Sequence, residues 1–258
     1  MSAHDNEYHD NMVTMLELIW GEGYMAPGGP GNVANLLDGT NPAGKRILDV
    51  GCGIGGPSFE MARTHGAHVV GIDLESPLIE RALAATQALG LQDQCQFQTV
   101  AAGPLPFPDQ SFDIVLSSGA VTQTDGTSAL IEDCSRVIKP GGFLTCYEWM
   151  RTDLEHSDDM LYWFEVEGLT YVLHTLEDFA NMFERTGLID VQTRDASDWY
   201  RVESRREYEL IKGELYPRMV ESLGQRDADH FVEDWRAMTI VCESGEMRQG
   251  YCRGRKPQ

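Results

Sequence analysis

Ile47-Leu48-Asp49-Val50-Gly51-Cys52-Gly53-Ile54-Gly55-Gly56 is an apolar strand that runs straight into a glycine-rich turn, and some twenty residues later a second apolar run ends in Gly71-Ile72-Asp73. Glycines are needed where the backbone leaves a strand sharply and a ligand lies against it, because a β-carbon would collide or forbid the dihedrals. An acid closing the neighbouring strand stands where one carboxylate can accept both hydroxyls of a ribose. The pairing predicts a site for an adenosine-type nucleotide, touched by Gly51, Gly53 and Asp73.

Gly51, Gly53 and Gly56 also satisfy the dinucleotide fingerprint, so by themselves they leave nicotinamide and flavin nucleotides open. Three further features decide between them. Asp49 precedes the first glycine by two residues, where dinucleotide folds usually keep an apolar residue. More than forty residues precede the turn, whereas a dinucleotide domain often opens with its first strand. Ser111-Phe112-Asp113-Ile114-Val115-Leu116-Ser117-Ser118 and Arg136-Val137-Ile138-Lys139-Pro140-Gly141-Gly142-Phe143-Leu144 follow at suitable distances. The set resembles the class I methyltransferase signature. That resemblance implies S-adenosylmethionine as cofactor and S-adenosylhomocysteine as product, held by Tyr24, Met25, Asp49, Gly51, Gly53, Asp73, Leu74, Ala101, Ala102, Ser117 and Ser118. Many relatives have an acid after the third strand, where this chain has Ala101-Ala102-Gly103, so adenine is expected to be read by backbone amides or by a neighbour the sequence does not identify.

A chain of 258 residues buries an ample core as one α/β domain. Lys and Arg total 20 against 41 for Asp and Glu, a formal charge of −21. That balance argues against nucleic acid and against an anionic membrane, and it suits a small-molecule substrate. Cys52, Cys95, Cys134, Cys146, Cys242 and Cys252 form no Cys-x-x-Cys pair and no His/Cys cluster of zinc spacing, which predicts reduced, buried thiols and no metal. Met1-Ser2-Ala3-His4-Asp5-Asn6-Glu7 lacks a basic, apolar signal pattern and no apolar run has the length of a membrane span, so a cytoplasmic location is expected. Oligomeric state is not legible.

Strands and helices alternate as a doubly wound, mostly parallel seven-stranded sheet demands. Strands are expected at 45–50, 67–73, 95–100, 112–117, 142–148, 189–195 and 247–253, and helices at 57–65, 76–90, 126–138, 175–187 and from about 203 to 244. This organisation predicts one domain over 1–258: a helical lid at 1–44, a nucleotide-binding core at 45–150, helical substrate-pocket insertions at 151–246 around strand 189–195, and a last strand and tail at 247–258. Ligands of open α/β sheets sit outside the carboxyl ends of the strands, so the lid and insertions should wall the substrate site.

Leu16-Glu17-Leu18-Ile19-Trp20-Gly21-Glu22-Gly23-Tyr24-Met25-Ala26-Pro27-Gly28-Gly29, with Trp235 and Gly250-Tyr251 far downstream, resembles phosphoethanolamine N-methyltransferases. In that family a tyrosine on the N-terminal helix pairs with a histidine after the fourth strand and helps remove a proton from the amine. The tyrosine position falls on Tyr8 and the histidine position on Gln123, which makes these two the catalytic candidates and leaves the base missing. The family's amine-holding aspartate is matched by Gly119. Its phosphate-gripping basic residues fall near Leu169 and Met238, neither of which binds an anion. These departures argue against phosphoethanolamine as the substrate.

Methyl transfer from a sulfonium is an in-line displacement driven largely by positioning in a dry site. A general base, worth roughly 10²–10⁴-fold where a proton must leave, is dispensable when the acceptor offers a free lone pair and ends as a permanent cation. The favoured acceptor is therefore the nitrogen of a small secondary or tertiary amine. The alternatives are a thioether such as a methionine-derived hydroxy acid, which would become a sulfonium, and a protein that binds S-adenosylmethionine without catalysis; an oxygen acceptor is disfavoured by the missing base. Cations rest well on aromatic faces, at about 0.5–2 kcal/mol each, so Trp20, Trp149, Trp163 and Tyr171 join Tyr8 and Gln123 as substrate-binding candidates. His174 is the candidate to replace the lost base. Arg151, Arg201, Arg205 or Arg236 could meet a carboxylate if the substrate carries one. Tyr147, following a buried strand, is expected to be structural.

Overall fold

The computed structural model describes residues 8–169 and 171–258; Met1–Glu7, whose sequence suggested no signal segment, lie outside the described residues. Seven strands run β1 Arg46–Val50, β2 His68–Asp73, β3 Cys95–Thr99, β4 Phe112–Ser118, β5 Ile138–Arg151, β6 Ile189–Asp195 and β7 Met247–Arg255. They form one sheet in the order β3-β2-β1-β4-β5-β7-β6. β1 pairs in parallel with both β2 and β4, and β7 is antiparallel to β5 and β6. The doubly wound α/β sheet is thus the one the alternation predicted. Strand order reverses between β1 and β4, and the crevice at that switch point is where such sheets hold ligands.

The helices are α1 Asp10–Trp20, α2 Gly29–Leu37, α3 Gly56–His65, α4 Ser76–Leu89, α5 Thr127–Val137, α6 Asp158–Glu167, α7 Leu176–Arg185, α8 Ser197–Lys212, α9 Tyr216–Leu223 and α10 Gln225–Glu243. β1 and β2 are covered on both faces, so burial runs unbroken from Ile47 to Val50 and from Val69 to Ile72 rather than alternating. β3 and β6 are the sheet's two edge strands, and β6 is largely exposed. No described helix is long and apolar enough to cross a membrane.

Two expectations need correction. The helical region read as one span from about 203 to 244 is three helices. Gly213 ends α8, Pro217 opens α9, and Gly224, at φ +88°, separates α9 from α10. β5 begins earlier than the expected 142–148 because Ile138 pairs with Phe112 of β4, and ends later because β7 pairs with it continuously from Phe143 to Arg151. The stretch 150–175, which falls outside the expected sheet pattern, contains α6, capped by Ser157, whose hydroxyl accepts the Met160 N–H at 3.2 Å.

A core separate from the sheet layers lies among the helices. Met12, Met15 and Leu16 of α1 pack with Trp149, Trp163, Tyr200, Phe231 and Trp235. This helical core stands over the carboxyl ends of β4 and β5 and brings residues from both ends of the chain to one place.

Candidate functional site

A cavity of about 670 Å³ opens at the switch point. Its floor is the turn after β1. The N–H groups of Gly51 and Cys52 donate to Ile72 O at 2.9 and 3.0 Å, which locks the turn to the end of β2. Gly51 has φ +70°, and a β-carbon there would stand 2.1 Å from that of Ala120. The residue must therefore be glycine for two independent reasons.

Asp73 closes β2 beside this turn. One of its oxygens accepts Gly53 N–H at 2.9 Å and the other accepts Glu75 N–H at 3.0 Å. Each oxygen keeps a further lone pair for a ligand hydroxyl. Burial raises this carboxyl from its ordinary value while the backbone amides oppose the rise. Asp49 lies deeper, 1 % exposed, and accepts the Ser58 hydroxyl at 2.6 Å. Burial pushes it up to about 7, opposed by Ser58 and reinforced by the charge of Asp73.

Met25, Leu74, Ala101, Ala102 and Ser118 line the same cavity. Tyr24 and Ser117 do not. Tyr24 packs instead with the cluster around Phe59, and Ser117 is buried beneath the site, donating to Glu148 at 2.9 Å. Ser118, next along β4, reaches the cavity because side-chain direction alternates along a strand, whereas Tyr24 closes a turn, its N–H donating to Gly21 O at 3.0 Å.

A second cavity, of about 40 Å³, adjoins the first. Trp20, Trp149, Trp163 and Tyr171 line it, together with Leu169 and Met238. Tyr8, Met25, Gly119 and Gln123 line both cavities and form their junction. At that junction Tyr8 and Gln123 are hydrogen-bonded side chain to side chain, Tyr8 Oη lying 3.0 Å from Gln123 Oε1 and 2.7 Å from Nε2. The two residues are 115 positions apart, and both expected catalytic candidates meet where the cavities meet.

His174 is not among the described residues lining either cavity. Its backbone carbonyl accepts Arg151 N–H at 3.0 Å beside β5, and its ring lies edge-on to Phe179 with centroids 5.8 Å apart. Burial lowers its pKa. It braces the sheet rather than facing the junction. The four arginines considered for a substrate carboxylate are also occupied elsewhere: Arg151 donates to the carbonyls of Thr152 and Leu154, Arg201 pairs with Asp198, Arg205 with Glu243 and Arg236 with Glu233. Tyr147 is buried with its ring against Tyr251, as a structural residue should be.

Sequence reasoning missed the carboxyls that organise the second cavity. Glu148, fully buried and pushed up to about 7 by burial, accepts from Ser117 Oγ at 2.9 Å, Val121 N–H at 3.4 Å and Thr122 Oγ1 at 3.3 Å. It anchors the turn that carries Gly119 and Gln123. Glu207 accepts the indole N–H of Trp20 at 2.7 Å and of Trp235 at 3.1 Å, with Tyr200 Oη at 3.3 Å. Glu167 and Asp234 stand in the cavity wall itself. A signal for two of them was available. Tyr200, Ser204, Glu207 and Ile211 form one buried stripe of α8, and Ala228, Phe231, Asp234, Met238 and Val241 form one of α10. An acid standing at a core position of an apolar stripe needs a reason.

The family model described as a methyltransferase domain matches residues 47–142. The chain has the class I methyltransferase fold. It resembles the phosphoethanolamine N-methyltransferases: it is 28 % identical over 245 residues to phosphoethanolamine N-methyltransferase 1 of Arabidopsis thaliana, covering 95 % of this chain and 49 % of that protein. With the Triticum aestivum enzyme it shares 29 % over 251 residues, 97 % of this chain and 49 % of the other. The chain therefore spans about half the length of the curated relatives it matches. Phosphoethanolamine N-methyltransferase 2 of Haemonchus contortus, solved with phosphomonomethylethanolamine and S-adenosylhomocysteine, superposes with a TM-score of 0.91 at 23 % identity, over 98 % of this chain and 59 % of that one.

Proposed function

We propose that this chain transfers a methyl group from S-adenosylmethionine to the nitrogen of a small amine at its secondary or tertiary stage. The observation that carries this reading is the meeting of two unlike cavities at Tyr8, Met25, Gly119 and Gln123. The larger would take the donor, with Asp73 on the ribose hydroxyls and Asp49 facing the ammonium of the methionine part. The smaller, aromatic-walled, would take the acceptor. The donor's methyl group would then point through the junction.

What the acceptor needs from the protein is dryness and alignment. Gln123, held by Tyr8, positions and does not ionise, which suits an amine that attacks through a free lone pair. The in-line step forms the N–C bond as the C–S bond breaks, with the sulfur keeping the electron pair. The product ammonium is then a cation among aromatic faces, at about 0.5–2 kcal/mol for each well-placed ring. The Haemonchus contortus relative, holding a methylated amine and S-adenosylhomocysteine together, supports an amine acceptor.

The test is incubation of the purified chain with methyl-labelled S-adenosylmethionine and a panel of dimethylethanolamine, dimethylglycine and their phosphorylated counterparts where these exist. Turnover of at least one amine is expected. Tight binding of S-adenosylhomocysteine with no label in any amine would defeat the catalytic part of the proposal.

A further inference from the structure

The wall of the smaller cavity carries charge of one sign. Among the described residues lining it, Glu167 and Asp234 are acidic, and none is a lysine, arginine or histidine. Asp234 is 3 % exposed, and its Oδ1 accepts the Trp163 indole N–H at 3.1 Å. Glu167 Oε1 accepts the Tyr171 hydroxyl at 3.1 Å. Each carboxyl is thus fixed by a ring that also walls the cavity. Burial together with the charge of Glu167 holds Asp234 well above its ordinary value.

The position of that charge is informative. Leu169 follows Glu167 by two residues, and Met238 lies one turn along α10 from Asp234; both side chains line the same cavity. These are the places where resemblance to the phosphoethanolamine enzymes calls for cations to grip a phosphate. Here the cations are replaced by apolar side chains, with an anion beside them. A phosphate or carboxylate seated there would face like charge in a low-dielectric wall, where repulsion is poorly screened and works against the wrong ligand.

We propose that Glu167 and Asp234, with the ring faces of Trp20, Trp149, Trp163 and Trp235, form a cation-selecting wall, so that the methyl acceptor is a small amine bearing neither phosphate nor carboxylate. The inference rests on the methyl-transfer reading and narrows its substrate class. It also gives the pair a role in rate. As the N–C bond forms and the C–S bond breaks, positive charge leaves the donor sulfur and arrives on the acceptor nitrogen. A fixed anion on the acceptor's side stabilises that arriving charge more than it stabilises a neutral amine, and only the difference accelerates the step.

Calorimetric titration with choline, phosphocholine and glycine betaine, each with and without saturating S-adenosylhomocysteine, tests the wall directly. Choline is expected to bind at least tenfold tighter than either anionic relative. The double variant Glu167→Gln with Asp234→Asn removes both acids while keeping an acceptor oxygen for Tyr171 and for Trp163, and should weaken choline at least tenfold while narrowing the gap to phosphocholine. Each single variant keeps one acid and should fall between, with thermal melts reporting that all three are folded. Phosphocholine binding as tightly as choline, no binding of choline to the wild type, or choline affinity unchanged in the double variant each overturns the proposal. Failure to bind S-adenosylhomocysteine sinks the methyl-transfer reading instead, since the titrations without it still report on the wall.

Discussion

The two cavities that meet at Tyr8 and Gln123 are made of different material. The larger is framed by backbone: the turn after β1, its amides tied to Ile72, and a carboxylate whose oxygens are aimed by the N–H groups of Gly53 and Glu75. The smaller is framed by side chains on separate helices, with indoles held in place by buried carboxyls such as Glu207 and Asp234. A site of the first kind is set once the strands have paired. One of the second kind is set only when residues such as Trp20 and Glu207, 187 positions apart, have packed. The first should therefore fail through single contacts to ligand, and the second through loss of its internal order.

The largest effect should come from Asp73→Ala. Hydrogen bonds to a charged group contribute about 1.5–3 kcal/mol each, so losing two costs roughly a hundredfold or more in affinity for S-adenosylhomocysteine. Calorimetry measures it, and Asp73→Asn should fall between the variant and wild type. An Asp73→Ala chain that binds the nucleotide normally would remove the ribose from this carboxylate.

On the other side of the comparison, Glu207→Leu strands two indole N–H groups and weakens the footing of Tyr200. Each buried orphan costs about 1–3 kcal/mol, and a total on the order of 3 kcal/mol should appear in urea unfolding. Donor affinity should change far less than stability. The same residue predicts a pH effect. Burial pushes Glu207 up to about 7 from an ordinary 4.5, opposed by the Trp235 and Trp20 hydrogen bonds and reinforced by Glu203. The folded chain then holds this proton where the unfolded chain has released it, so this group's contribution to stability declines as pH rises from about 4.5 through about 7. Glu207→Gln, which cannot ionise, should show a flatter dependence of melting temperature on pH across that window.

The contrast also explains what could be read from the chain. Gly51, Gly53, Asp49 and Asp73 are legible because a strand, a turn and the next strand bring them together within one local unit. Ser117 lies one position from Ser118, which lines the cavity, as alternation along a strand requires, and Tyr24 lies in a turn between Gly23 and Met25, which both line it. Trp20, Trp149, Trp163 and Tyr171 could be named because aromatic residues fit the expected cation, whereas Glu167 was lost in an acidic composition, and Glu207 and Asp234 stand out only as acids at core positions of the α8 and α10 stripes. His174 misled for the opposite reason: an imidazole near a helix start suggested chemistry, and its partners turned out to be a ring and a backbone. The helical region read from about 203 to 244 is helical as expected, and Gly213, Pro217 and Gly224 divide it into separate helices.

Between the two cavities lies the segment ahead of β1, and Gly56→Ala tests how tightly it is clamped. Gly56 N–H donates to Gly23 O at 2.9 Å, and a β-carbon on Gly56 would stand 2.1 Å from that same carbonyl oxygen. Backbone must move, at a cost of about 1–3 kcal/mol for an overpacked contact. Met25, whose sulfur lies over Gly53, would move with it. About tenfold weaker binding of S-adenosylhomocysteine is expected, with faster protease cleavage before residue 46. Unchanged cleavage would mean that residues 21–25 contribute no cover to the nucleotide.

The smallest effect, and the most discriminating, belongs to Tyr8→Phe. Its hydroxyl meets the Gln123 amide at the one place common to both cavities, so the bond joins the backbone-built half to the side-chain-built half. A neutral hydrogen bond is worth about 1 kcal/mol net, so turnover should fall by less than about tenfold. Stability and donor affinity should hardly move, because the phenyl ring keeps its packing. If Tyr8 were the base that Gln123 cannot be, the loss would be on the order of 10²–10⁴-fold instead, and it would deepen as the acceptor's proton becomes harder to remove. A small, pH-independent loss therefore marks Tyr8 and Gln123 as a positioning pair for an amine that arrives with its lone pair free, whereas a large, pH-dependent loss would return proton removal to the junction and with it an acceptor whose proton the protein itself must remove.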